Sequence, residues 1–434
     1  MMKKRLSFFL AAAMMLSLTA CGGGGDTPAT DGGSGGSADS SGGETITLSL
    51  WGGESDQEYL AERIEAFKAA YPDQAFDITL GVESESTAKD TILTDVQAAA
   101  DVYAFASDQT TDLVNAGALL PLDTVEEALV GVAGKSLDDI RSANDPGSIE
   151  AVTMNNQLYA FPFAVDGYFM FCDPDFVSEE QAQNWDTLLD AAQAAGKRVG
   201  MVLSSGWYDA SFFYGAGFTT GLNEDGTTSI DWNGTSPSGV TGVQVVKAMQ
   251  QIAGHPAFMA IADGDIANQI AGGSLCAVIS GTWDTEVVEQ NFGDDYVAGK
   301  LPAYTTEGGT EVQTGSVNSY KCIGVNPHAV NSGWAVILAE FLTNEESQVA
   351  RFESRSLAPS NLAAGASDAV SANKGVAGLI EQAQFGEIQI VGGKYWDPAK
   401  SFGEQIAQGT LPTDDAGIQA ALDELATGIT APIS

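Results

Sequence analysis

Basic residues are scarce in this chain. Only 18 Lys and Arg stand against 58 Asp and Glu over 434 residues, a formal net charge of −40. Such a field repels phosphate backbones and anionic surfaces, which excludes nucleic-acid binding and electrostatic docking on a membrane. Histidine is scarcer still: His255 and His328 are the two, each beside a proline, and neither H-E-x-x-H nor C-x-x-C occurs. The usual zinc arrangements are therefore absent, and no metal or other cofactor is expected. Asn223-Glu-Asp225 and Asp263-Gly-Asp265 offer acids to calcium, but neither has the ligand spacing of an EF-hand loop, and solvated turns are expected. Cysteine occurs at 21, 172, 276 and 322. The last three lie in apolar runs, and an odd set is a poor disulfide framework, so buried free thiols are expected. With 44% hydrophobic residues the chain has enough to bury a sizeable core, in one large domain or two or three ordinary ones.

The N-terminus carries the sharpest local signal. Met-Met-Lys-Lys-Arg is a basic leader, and Leu6 to Leu18 is an apolar stretch too short for a stable span. Leu18-Thr19-Ala20-Cys21 follows and resembles the lipobox of bacterial lipoproteins. That resemblance implies removal of residues 1–20 and a diacylglycerol on Cys21. Residues 22–43 hold 10 Gly and 4 Ser and no aliphatic side chain larger than alanine, so they read as a tether. Its mean span is roughly 25 Å. Gly32-Gly33-Ser34-Gly35-Gly36 matches a hydrolase elbow formally, but no strand precedes it and no helix follows.

From residue 44 the chain alternates strand and helix. Thr45 to Leu50 reads as a strand, Ser55-Asp-Gln-Glu58 as a capping box, and Leu60, Ile64 and Phe67 as a helix face. A strand over 74–80, a helix over 86–99, a strand over 101–105 and a helix over 108–115 continue the pattern. It restarts past Ala164 with strands at 167–172 and 198–203, a helix over 185–195, a hairpin around Asn223 to Gly226, helices over 238–253 and 263–271, and a strand over 275–279. Helices then dominate: 332–343, 345–353, 368–383, 397–408 and 414–427. This alternation predicts an α/β architecture with mostly parallel sheets and helices on both faces.

Seven tryptophans punctuate it. Trp334 and Trp185 read as packing residues, and Trp232 is open between core and surface. Trp51, Trp207 and Trp283 each follow a strand, and Trp396 opens a helix. Ligands of open α/β sheets collect at the carboxyl ends of the strands. Flat apolar faces there, with Glu54, Asp166, Asp209 and Asp284 nearby, suit a sugar, whose C–H face stacks on an indole and whose hydroxyls donate to carboxylates. Ordinary packing remains the alternative for each tryptophan.

Residues 44 to about 430 resemble the solute-binding proteins of bacterial sugar ABC importers, the maltose and maltodextrin binders above all. The resemblance is carried by Leu50-Trp-Gly-Gly-Glu54, Ala100-Asp-Val-Tyr-Ala-Phe-Ala-Ser-Asp108, Asn115-Ala-Gly-Ala-Leu-Leu-Pro-Leu-Asp123, Gln157-Leu-Tyr-Ala-Phe-Pro-Phe-Ala-Val-Asp166, Ile270-Ala-Gly-Gly-Ser-Leu-Cys-Ala-Val-Ile-Ser-Gly-Thr-Trp283 and Ala383-Gln-Phe-Gly-Glu387. It implies a periplasmic-binding-protein-like fold, two α/β lobes joined by a hinge around a cleft. One lobe would comprise about 44–164 and 320–367, the other about 165–319 and 368–434. It implies sugar contacts at Gly53 and Glu54, at Phe105 and Asp108, at hinge-side Asp166, at Trp207 or Tyr208, and at Trp283 and Trp396. The sequence departs from the family where tryptophan and arginine are usual, having Phe105 and Gln109, and Asp166 replaces a glutamate.

The expected function is a non-enzymatic, lipid-anchored, monomeric protein at the outer face of the membrane. It would bind an oligosaccharide, most closely a malto-oligosaccharide, and pass it to ABC importer permease subunits. A secreted glycoside hydrolase, which needs two opposed carboxylates, and a surface adhesin remain the alternatives.

Overall fold

The hydrophobic alternation resolves into eleven strands in two main sheets of a computed structural model, which describes residues 45–223, 226–388 and 390–432. The leader, Cys21 and the Gly/Ser tether lie outside the described residues. In chain order the strands are β1 (Ile46–Gly52), β2 (Phe76–Val82), β3 (Val102–Ala106), β4 (Ala160–Asp166), β5 (Phe169–Cys172), β6 (Arg198–Met201), β7 (Phe258–Ala260), β8 (Leu275–Ser280), β9 (Val297–Gly299), β10 (Ser316–Val325) and β11 (Gly386–Ile388). The helices that matter below are α1 (Gln57–Ala70), α2 (Gly206–Gly215), α3 (Ser332–Thr343), α4 (Glu345–Arg355), α5 (Lys374–Ala383) and α6 (Trp396–Ala407).

The first sheet runs β11-β10-β3-β1-β2, with β4 also on β10; the second runs β7-β6-β8-β5-β9. Each has a parallel centre, β2-β1-β3 in the first and β7-β6-β8 in the second. Antiparallel strands extend both: β10 against β3 and β4, and β5 against β8 and β9. The sheets are thus mixed where the alternation suggested mostly parallel ones. The link from β4 to β5 is too short for a helical crossover, and β10 returns in the opposite sense.

Two hydrophobic cores follow. One gathers Leu48, Leu50, Phe67, Val102, Phe105, Phe161, Phe163 and Ile323; the other gathers Phe169, Phe171, Trp185, Val199, Val246, Ile279 and Trp232. Each fully buried side chain of this size contributes about 1.5–3 kcal/mol. Trp232 stacks on Phe213 with centroids 4.1 Å apart and planes 4° from parallel, which assigns it to the core. Trp185 lies near-parallel to Phe212, and Trp334 meets Phe67, Tyr71 and Phe76 edge-on.

The chain passes between the cores three times: at Asp166–Tyr168 between β4 and β5, along β10, and between α4 and α5. In β10, Val317 belongs to the second core while Cys322, Ile323 and Val325 belong to the first. Val165 packs against both. The two crossing strands pair directly, Ser319 with Asp166 and Tyr320 with Val165.

Three local expectations fail for stated reasons. The Ser55–Glu58 capping box does not form: Asp56 is the N-cap of α1 and makes no side-chain cap bond, because arginines take its carboxylate, as described below. The helix expected over 86–99 stops at Thr94, where Asp95 turns extended and its carboxylate accepts the N–H groups of Gln97 and Ala98. The helix expected over 368–383 is broken by Asn373, whose side chain caps α5 by accepting from Val376 N.

Candidate functional site

At the carboxyl ends of β1, β2 and β3, three loops are tied together beneath the surface. Gln109 is buried; its amide donates to the Glu85 carbonyl at 2.8 Å and its oxygen accepts from Lys89 N–H at 2.8 Å. The position where the sugar-binder resemblance leads one to expect an arginine thus holds a loop clamp. Glu85 and Asp56 meet on Arg351 of α4, 1% exposed, which donates to both carboxylates. Its guanidinium lies 3.7 Å above the Phe163 ring, and Arg355 adds a second bond to Asp56 at 3.0 Å. Asp56 is therefore consumed by arginines, and the loop Gly53–Asp56 is held without a helix cap.

Beside this network stand Asp108, Asp166 and Lys321. Lys321, on β10, pairs with Asp166, the last residue of β4, at 2.8 Å. Burial pulls the Lys321 ammonium down, but Asp166, Glu85 and Asp108 outweigh it and hold it above its usual range. Burial pushes the Asp108 carboxyl up to about 6 against the opposing pull of Lys321 and Lys89. One cation serves an acid at the hinge and an acid after β3.

Past the ends of the parallel strands β6 and β8 of the second sheet the side chains are aromatic. β6 and β8 end in Ser-Gly breaks, after which α2 begins and a short 3-10 turn, Thr282–Asp284, follows Gly281. Trp207 and Trp283 lie with centroids 5.9 Å apart, tilted by 35°. The Trp283 ring folds back over Gly281, where a β-carbon would collide with it, so a larger residue there would push the ring out of this position. Behind the pair, Tyr168 and Tyr208 pack on Trp207 at 4.7 and 5.0 Å. The Tyr168 hydroxyl donates to the Trp207 carbonyl and accepts from Val317 N–H, tying the pair to the hinge strand. Tyr208 is buried, and its hydroxyl is raised by desolvation and by Asp284 and Asp166, while a bond with Ser280 opposes the rise. Ser280 in turn donates to Asp284.

The expected site residues fall as follows. Gly53 is half-buried, and a β-carbon there would meet nothing within 4 Å; Glu54 is exposed. Asp108, Asp166, Trp207, Trp283 and Trp396 are half-buried, the last edge-on to Tyr395 at 5.1 Å. Tyr208 lies behind Trp207 rather than at the surface. Phe105 requires correction: it is 0% exposed in the first core, against Leu119 and Gly324, and offers no face to a ligand. Every residue of β3 is buried, so that strand has no outward position. Asp209 is also buried and offers no acceptor at the surface. Trp51 lies against Gly81 of β2 at the rim of the first core. Missed altogether were Lys321, Glu85, Arg351 and Tyr168. Lys321 had a signal, a lone cation inside the apolar run Tyr320-Lys-Cys-Ile-Gly-Val325. Among the described residues no group of three or more His, Cys, Asp or Glu is arranged to hold a metal ion.

A curated relative, the galactooligosaccharide-binding protein of Bacillus subtilis (strain 168), is 25% identical over 296 residues, 65% of this chain and 69% of its own length. A protein solved with acarbose superposes with a TM-score of 0.76 at 28% identity, over 90% of this chain and 99% of that one. The maltodextrin-binding protein MalE1 of L. casei BL23, solved without ligand, gives a TM-score of 0.72 at 20% identity over 90% and 100%. A cyclo/maltodextrin-binding protein complexed with maltotetraose gives 0.70 at 18% identity over 91% and 100%. These neighbours share the two-lobed periplasmic-binding-protein-like fold. Residues 62–378 match the family model described as bacterial extracellular solute-binding protein, and to that family the chain belongs.

Proposed function

We propose that this protein is a lipid-anchored extracellular binder that captures an oligosaccharide, a malto-oligosaccharide first of all, and delivers it to an ABC importer. The carrying observation is the Trp207–Trp283 pair at the ends of β6 and β8, close to the hinge acid Asp166, whose charge reaches Tyr208 behind it. Two tilted indoles present apolar faces to successive sugar rings, and the acids accept hydroxyl protons. Asp108, Glu54 and the open backbone at Gly53 supply polar contacts from the other lobe, and Trp396 extends the aromatic wall. Ligand held by both lobes favours the closed form through contacts made only there. Cys21 carries the lipid, and the permease recognises the loaded protein. The acarbose- and maltotetraose-bound neighbours support the α-glucan class, while the curated relative's name supports galacto-oligosaccharides as the second candidate.

The test is tryptophan emission of the protein titrated with maltotriose, maltotetraose, acarbose and a galacto-oligosaccharide, with the sugars recovered and weighed by mass spectrometry. A saturable change with an α-glucan, lost in Trp283→Ala, and intact sugar afterwards is the expected result. A response to the galacto-oligosaccharide alone replaces the ligand and keeps the binding reading. Shortened sugar products would mean a hydrolase, and silence with every sugar would overturn the reading.

A further inference from the structure

Between α2 and α6 lies a carboxylic acid with no donor to meet it. Asp209 is 1% exposed, and neither of its carboxyl oxygens has a hydrogen-bond partner. The charged groups on the elements packed against α2 are Lys247, Lys321, Glu387, Asp397, Lys400 and Glu404, with tyrosines at 168, 208, 214, 304, 320 and 395 and the thiol of Cys322. None is hydrogen-bonded or ion-paired to Asp209. What Oδ2 does face is another oxygen. A β-carbon placed on Gly403 of α6 would collide with both Asp209 Oδ2 and the Leu203 carbonyl, so the two oxygens are neighbours across that glycine. Leu203 is 1% exposed, and its carbonyl accepts no hydrogen bond among the described residues.

Two buried oxygens side by side, both without a donor, repel and forfeit the bonds each made to water. A proton between them turns that repulsion into a hydrogen bond. Burial alone raises the Asp209 carboxyl well above the carboxylate range, in line with this geometry. The same joint is closely packed elsewhere: the Tyr395 hydroxyl donates to the Gly206 carbonyl at 2.7 Å, and a β-carbon on Gly206 would strike Ala399 and Tyr395.

We propose that Asp209 keeps its proton at neutral pH and donates it to the Leu203 carbonyl, and that this bond is a latch positioning α2, with Trp207 and Tyr208, against α6, with Trp396. The positioning half rests on the oligosaccharide reading above; the protonation half does not. Asparagine should replace the acid, since its amide donates in the same place, whereas leucine fills the space and donates nothing.

Infrared difference spectra of wild type against Asp209→Asn at neutral pH should show a protonated carboxyl C=O band that the variant lacks. The wild type should lose stability relative to Asp209→Asn as pH rises above about 4, because the unfolded chain releases a proton there that the folded chain keeps. Oligosaccharide affinity should stay within about twofold in Asp209→Asn and fall about tenfold in Asp209→Leu, the scale of one unmatched buried polar group. A missing band, or parallel pH–stability curves, would mean an ionised Asp209 bridged by a buried water or cation and would overturn the protonation. Equal affinity losses in both variants, or none in either, would overturn the latch. If the wild type binds no oligosaccharide, the sugar reading fails, while the band and the stability curves still decide the protonation.

Discussion

Asp108 shows how a single side chain is set by its neighbours. Its carboxyl is pushed from the ordinary 3.8 to about 6 by burial. The folded chain therefore holds a proton that the unfolded chain has already released between those values. The stabilisation from this proton is complete below about pH 4 and is lost as pH rises through about 6. Asp108→Asn should remove that loss, seen as a flatter melting-temperature profile between about pH 4 and 7. If Asp108 meets the sugar as proposed, a hydroxyl donates to the ionised carboxylate, so affinity in the wild type should weaken as pH falls through about 6, and the variant's affinity should not follow pH in that range. At the same scale, Trp283→Ala removes one stacking face. It should weaken sugar binding by roughly tenfold to a hundredfold with little change in melting temperature, because Trp283 is half-buried and packs mainly on Trp207 and Gly281. The half-exposed state of Trp207 and Trp283 was legible in the sequence, since each follows a strand cut short by Ser and Gly. The burial of Phe105 was not: a position carried over from a family brings no information on which way a side chain points from a strand covered on both faces.

At the scale of elements, Arg351 gathers what two loops leave unpaired. It lies on α4 yet bonds the loop after β1 through Asp56 and the loop after β2 through Glu85. Replacing it with methionine leaves both carboxylates short of a buried cation. The cost should be about 3 kcal/mol or more, measured by urea unfolding. Asp56→Asn with Arg351→Met should recover part of the loss, as expected where removal of one charge strands the other. Helix α1 and the parallel strands β1, β2, β3, β6 and β8 were readable from their apolar patterns, as Leu60, Ile64 and Phe67 show in α1, while the three-residue parallel strands β7 and β11 were too short to show one. Strand β10 was not readable, because Asn318, Ser319 and Lys321 interrupt its alternation. Those residues are polar because the strand runs beside the acids at the hinge. The failed capping box has the same origin, since local spacing of Ser55 and Glu58 carries no record of arginines nearly three hundred residues away.

For the whole molecule, two cores joined by three strands of chain predict bending rather than separation. β4 and β10 pair across the crossing, so lobe movement must be absorbed within a few residues at Asp166–Tyr168 and Ser316–Ser319. Small-angle scattering should record a smaller radius of gyration with saturating ligand, and Trp283→Ala at the same sugar concentration should stay near the open value. The charge of −40 acts on the same scale. Self-repulsion of the acids should make the melting temperature rise as salt is brought from about 0.01 M to 0.15 M, where the screening length drops from about 30 to 8 Å.

Cys172, Cys276 and Cys322 are all buried and free. Burial raises all three thiols, Cys276 to about 11 and the others further, so none presents a thiolate to a reagent at neutral pH. In a folded chain whose Cys21 is acylated or removed, the surface is chemically silent toward maleimides. A single cysteine introduced at an exposed position such as Ser84, in the loop after β2, would then be the one reactive handle. A dye fixed there would turn the opening and closing of the lobes into a colour change, with no native cysteine needing to be erased first.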